Sequence, residues 1–150
     1  MKQISKFLTL VALAAGLLAL AGCSANKPAS ASFASVIIQN HTMAEIRDAT
    51  GEVFTEDGYR VMVRDNEMKC EKESSRATQI AYDGLASNAP VANRVLISIV
   101  QLSATSHRLQ CNAYIVRNPG DPTFEDVSKL LKTRSGPYQR LLDKVAEKLK

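Results

Sequence analysis

The sequence predicts an α+β domain: a mostly antiparallel sheet of four to five strands with helices packed on one face, in the order β-α-β-β-(α)-β-β-α. Three observations predict it. Thr42-Met43-Ala44-Glu45 is a capping-box pattern standing between a β-branched run and apolar residues at helical spacing. Two long alternating runs, 93–104 and 108–117, flank a short polar break. Apolar residues return at helical spacing over the last thirty residues or so. With 150 residues, 45% hydrophobic and 23% charged, the chain holds at most one globular domain and is not a disordered tail.

Each element has its own reason. Phe33 to Gln39 (Phe-Ala-Ser-Val-Ile-Ile-Gln) is a short β-branched run, read as a buried strand, and Asn40-His41 turns the chain. Met43, Ile46, Ala49, Thr50, Val53 and Phe54 then line one side of a helix that Gly58 stops. Tyr59 to Arg64 alternates as a strand. Asp65-Asn66 is a turn candidate, and Glu67 to Lys72 returns as a second, shorter strand. Ser75 to Leu85 fits both periods: Ala77, Ile80, Ala81 and Leu85 share a helical face, while Ile80 and Tyr82 also fit strand alternation. A short helix is the preferred reading. Ser87 to Pro90 is loop.

The run from Asn93 is apolar on both sides, with Val95, Ile97 and Ile99 on one and Leu96, Val100 and Leu102 on the other. That predicts a central strand covered on both faces, or a strongly twisted one. Thr105-Ser106-His107 has the length of a hairpin loop. On the return strand Leu109, Cys111, Ala113 and Ile115 face one way and Gln110, Asn112 and Tyr114 the other. Asn118-Pro119-Gly120-Asp121-Pro122 breaks the chain. Thr123 then caps a predicted helix with Phe124, Val127, Leu130 and Leu131 as its stripe. After Ser135-Gly136-Pro137 the stripe continues through Tyr138, Leu141, Leu142, Val145 and Leu149, either as one kinked helix or as two in line.

The N-terminus reads differently. Lys2 and Lys6 precede a 14-residue apolar run, Phe7 to Leu20, about 21 Å as a helix and short of a bilayer core. A basic start before a run of that length reads as an export signal. Leu20-Ala21-Gly22-Cys23 resembles the lipobox of bacterial lipoproteins. The resemblance covers residues 1–24 and fits at every position. It implies that 1–22 is a lipoprotein signal peptide, that the thiol of Cys23 is acylated, and that cleavage makes Cys23 the new N-terminus. It also implies that Ser24, where Asp would retain the protein in the inner membrane, permits transport to the outer membrane. Two or three acyl chains on one cysteine make attachment effectively permanent, since each buried methylene contributes about 0.8 kcal/mol. Residues 23–32 then form the lipidated cysteine and a flexible polar tether, and 33–150 the single folded domain, similar in plan to small envelope lipoprotein domains, helix-grip modules among them.

Cleavage removes Lys2 and Lys6, leaving 17 basic against 15 acidic residues and a net charge of +2. That is no nucleic-acid footprint. Cys70 and Cys111 remain, and two cysteines in an exported domain predict one disulfide. A 40-residue separation makes such a bond worth roughly 3–4 kcal/mol by chain entropy. His41 and His107 fall in predicted turns without further residues at ligand spacing, so no metal or other cofactor is expected. No Gly-x-Ser-x-Gly elbow is present. Glu52, Glu56, Asp57, Asp65 and Glu67 cluster, but among Arg and Lys, as solvated faces do. Arg60, Arg64, Lys69, Lys72 and Arg76 form a basic stretch interleaved with Glu67, Glu71 and Glu73. Arg134 and Tyr138, either side of the Ser-Gly-Pro break, are a candidate recognition edge. The terminal Lys150 resembles that of the murein lipoprotein, without the heptad body that accompanies it there. The expectation is therefore a non-enzymatic module of the cell envelope, anchored by lipid on Cys23, facing the periplasm, with an envelope protein as candidate partner. A carrier or sensor of a lipid or apolar ligand is the alternative, and a hydrolase the third. Oligomeric state is left open.

Overall fold

The computed structural model describes residues 32–65, 67–84 and 89–150. The signal peptide, Cys23, Ser24 and the tether up to residue 31 lie outside these described residues.

A six-stranded antiparallel sheet carries helices on one side, an α+β fold. Strand β1 (Ala34–Gln39) is followed by helix α1 (Met43–Glu56), strands β2 (Arg60–Arg64) and β3 (Glu67–Glu73), and a short helix α2 (Arg76–Asp83). Strands β4 (Val91–Gln101) and β5 (Ser106–Arg117) form the long central hairpin. Strand β6 (Asp126–Lys129), a 3-10 turn (Lys132–Arg134) and helix α3 (Gly136–Lys148) complete the chain. The lateral order is β1-β5-β4-β3-β2, with β6 also on β5.

Local chemistry fixes the first helix at both ends. Thr42 Oγ1 accepts from the Glu45 N–H at 3.2 Å, and the Glu45 carboxylate accepts from the Thr42 N–H at 2.8 Å. At the other end Gly58 takes φ +87°, the left-handed region. Its N–H reaches the Thr55 carbonyl, while the Tyr59 N–H reaches that of Phe54, both at 2.9 Å. This is a Schellman closure with its hydrophobic contact, the Phe54 and Tyr59 rings packing edge to face at 5.3 Å.

Alternating strand directions make β1 and β2, at opposite margins, run parallel. Their connection must cross the whole sheet. A helix of 14 residues is about 21 Å long. Four strand spacings come to roughly 19 Å. Helix α1 therefore matches the sheet it spans, and it lays Ile46, Val53 and Phe54 on Met68, Val95, Ile97 and Leu109. Helix α3 adds Leu141, Leu142 and Val145 to the same core. Its Gln139 reaches the outer margin of β1, where its amide accepts from the Ser35 N–H at 3.2 Å and donates to the Ser35 carbonyl at 3.1 Å.

Three expectations change. Residues 123–131 do not form a helix. Strand β5 is longer than β1, which pairs only with 106–111, so 114–117 keep a free edge. Asp126–Lys129 fills that edge, because unpaired backbone groups on a central strand outweigh a weak helical stripe. As a result Phe124 and Leu131, at 68% and 74% exposure, do not enter the core. The Ser-Gly-Pro break is then the start of one helix rather than a kink within a longer one. Finally, His107 is not in the hairpin loop: β5 begins at Ser106 and carries His107 buried on its helix-facing side.

Candidate functional site

The face of the sheet away from the helices is where sequence and structure disagree most usefully. Apolar residues on both sides of the 93–104 run predict cover on both sides. The structure covers one. Val95, Ile97 and Ile99 are buried under the helices, whereas Leu96 (42% exposed) and Val100 (39%) look outward. Register places neighbours beside them. Leu96 pairs with Lys69, and Lys69 with Met62; Val100 pairs with Arg108, and Arg108 with Ile37. Met62 and Ile37 are likewise exposed, at 38% and 45%. Between the two rows run Arg64, Glu67, Ser98 and Gln110. Met62, Arg64, Glu67, Lys69 and Leu96 line a concavity of about 280 Å³ on this face.

One end of the face is closed by an ion-paired clamp. Arg94 Nε donates to Glu71 at 2.5 Å, and its two terminal nitrogens donate to the two oxygens of Glu125 at 2.7 and 2.9 Å. Glu125 Oε2 also accepts from the Gly120 N–H at 2.8 Å. The guanidinium and that N–H hold the Glu125 carboxyl down to about 2. Asp121 Oδ1 accepts from the Thr123 and Phe124 N–H groups, an Asx turn that shapes the 118–125 loop around the clamp. Beyond Arg94 the remaining charges of the face are uneven. Glu71 and Lys69 pair at 3.0 Å, which leaves Arg60, Arg64, Arg108 and Lys129 against Glu67 and Glu73, an excess of positive charge around an apolar strip.

The other candidates are dispersed. Cys70 and Cys111 are free thiols, not a disulfide. Cys70 pairs with Val95 of β4, and Cys111 with Ile97 on the opposite edge of that strand. Two strand spacings alone separate their backbones by at least roughly 9–10 Å, and the two-residue offset along β4 adds to that, beyond disulfide reach. Burial pushes both thiols up to about 12, so neither is a nucleophile at neutral pH. Arg134 and Tyr138 do not form one edge. Arg134 is exposed in the 3-10 turn, but Tyr138 turns inward and meets the Phe33 ring edge to face at 5.4 Å.

Glu52 and Glu56 pair with Lys148 at 2.6 and 3.5 Å, and Asp57 with Lys72 at 3.3 Å, so the carboxylate cluster is surface ion pairing rather than an acid–base pair. His41 and His107 share the wall of a shallow concavity beside β1, and His107 Nδ1 is buried with no hydrogen-bond partner among the described residues. No group of three or more His, Cys, Asp or Glu among the described residues is placed to hold a metal. No described helix is long and apolar enough to cross a membrane. The open face escaped sequence reasoning, although its signal was present in the two-sided hydrophobicity of 95–102.

No family model and no curated protein sequence matches the chain. Among solved structures it is similar to the adenylate sensor of AMP-activated protein kinase in complex with 5-aminoimidazole-4-carboxamide 1-β-D-ribofuranotide. The identity is 12% and the TM-score 0.44, over 76% of this chain and 93% of that one. A likeness this loose says nothing about ligand or activity.

Proposed function

We propose that the protein is a non-enzymatic binding module of the cell envelope, held by lipid on Cys23 at the outer membrane and facing the periplasm. Its uncovered sheet face is the recognition surface. The observation that carries this reading is the exposed strip of Ile37, Met62, Leu96 and Val100 on the helix-free side of the sheet. A sheet face with apolar residues set among an excess of basic side chains has the composition of an interaction core with a polar rim. The lipid raises local concentration at the membrane, which suits a weak binder. The carrier alternative needs a cavity between sheet and helices, and that space is filled by Phe54, Leu109, Leu142 and Val145, all fully buried.

The test has two arms, read in the native host. Cys23→Ala removes the acylated thiol, and the expected outcome is loss of carbonate-resistant membrane association; equal recovery of variant and wild type in membranes counts against the anchor. A photo-crosslinking residue at Leu96 is expected to give one discrete adduct, abolished by Met62→Asp on the same face. Adducts from the helix side at Lys144 but none from Leu96 would move recognition off the sheet.

A further inference from the structure

A second concavity, of about 330 Å³, lies on the opposite side of the molecule, between α3 and the start of the β2–β3 hairpin. Its lining includes Asp57, Tyr59, Lys72, Tyr138, Arg140 and Lys144. Three of these are cations and one is an acid. Lys72 answers the acid twice, donating to the Asp57 backbone carbonyl and to its carboxylate. Lys72 also lies over the Tyr59 ring, 5.4 Å from its centroid, so its position is fixed from two sides. Arg140 and Lys144, one helical turn apart and exposed, are left without a counter-charge in the lining.

Two further features point the same way. The Arg140 guanidinium folds back along α3, with Nη1 3.8 Å from where a Cβ on Gly136 would stand. It therefore sits at the positive end of the helix, whose first turn holds no acidic residue and whose Ser135 makes no side-chain cap. A cation there is repelled by the helix dipole, an arrangement that an anion would reverse. Tyr59 and Tyr138 also line the concavity, and both residues are more than nine-tenths buried. Burial keeps both phenols protonated, and a protonated phenol is a hydrogen-bond donor suited to an anion.

We propose that this concavity is a binding site for a small phosphomonoester dianion, held by Arg140, Lys144 and the phenol groups of Tyr59 and Tyr138 at the N-terminus of α3. Arg140 supplies a planar fork that matches phosphate oxygens, and Lys144 a point charge beside it. The volume is at the small end of ligand sites, enough for a phosphate with a short organic group. A soluble phosphomonoester and a phosphatidate headgroup present the same chemistry, and the experiment separates them.

Two of the four tyrosines line the site and the chain has no tryptophan, so tyrosine fluorescence reports on it directly. The full-length protein in neutral detergent is titrated with inorganic phosphate and with glycerol 3-phosphate, against chloride at matched ionic strength. Saturable quenching by phosphate and its monoester, but not by chloride, is expected. Arg140→Gln with Lys144→Gln should weaken it by about tenfold or more, whereas Arg47→Gln with Lys129→Gln, the same loss of two charges away from the site, leaves it unaltered. Arg140 and Lys144 are exposed, and circular dichroism checks that the fold is retained. Vesicles of phosphatidylcholine with and without phosphatidate then assign the source: dependence of vesicle binding on Arg140 and Lys144 marks a headgroup site, and response to the free monoester alone marks a soluble ligand. Absence of saturation with phosphate and monoester, or equal binding by the double variant, overturns the proposal.

Discussion

Replacing Glu125 with Gln tests the clamp at the end of the open face. The change is nearly isosteric but removes the charge and one of the two parallel hydrogen bonds from Arg94. The Arg94 side chain is 12% exposed and that of Glu125 24%, between a surface pair and a buried one. Exposed pairs contribute at most about 1 kcal/mol, and breaking a buried one costs about 3–5 kcal/mol. Glu71 stays on Arg94 Nε and water still reaches the carboxylate, so a loss of about 2 kcal/mol is expected. For a domain of this size that lowers Tm by roughly 6–10 °C. The pH dependence carries a definite sign. The folded carboxyl, at about 2, lies below its ordinary 4.5. Its stabilisation is therefore complete above about pH 4.5 and disappears as pH falls from there towards 2. Urea unfolding of wild type and Glu125→Gln, followed by circular dichroism between pH 7 and 2, should show a gap that closes in that window. A variant within about 0.5 kcal/mol of wild type at pH 7, or a gap that persists at pH 2, would refute the reasoning.

Two further outcomes are expected. Cys70 and Cys111 should be inert to an aromatic disulfide reagent at pH 8 in the native protein and react together on unfolding. Because burial raises both thiols from 9.0 to about 12, the stability they contribute is present below pH 9 and declines as pH rises towards 12; a 70–111 cross-linked peptide after non-reducing digestion would contradict their placement. Thr42→Ala removes the hydroxyl that accepts from the Glu45 N–H, while the backbone N–H of residue 42 still reaches the Glu45 carboxylate; the loss should cost about 1 kcal/mol in urea unfolding, with no change expected in phosphate binding at the α3 site.

What the sequence made legible was local. The Thr42–Glu45 box and the Gly58 stop are written within a few residues of the groups they satisfy, and the structure places α1 between them. The alternation of Leu109, Cys111, Ala113 and Ile115 gave the buried side of β5 for the same reason. The features that needed partners far along the chain were not legible. Asp126–Lys129 is a strand because the upper half of β5 lacks a neighbour, and nothing in 123–131 itself announces that. The cysteines are kept apart by the placement of β4 between β3 and β5, which spacing along the chain does not encode. The phosphomonoester site joins Tyr59, at the end of α1, to Arg140 and Lys144, some eighty residues later. Only the packing of α3 beside that end of α1 brings them together. Two-sided hydrophobicity in 95–102 was visible, but an alternation pattern does not say whether a second layer exists to cover it.

The carboxamide of Gln139, seated on both backbone groups of Ser35, has a consequence for how this molecule meets others. It imitates the peptide unit of a neighbouring chain and so ends the ladder at that margin. An extended segment arriving there would have to evict a side chain already anchored on a packed helix. Growth by backbone pairing, with a second copy or with a foreign peptide, is thereby steered to the outer edges of β2 and β6, which border the bare side of the sheet.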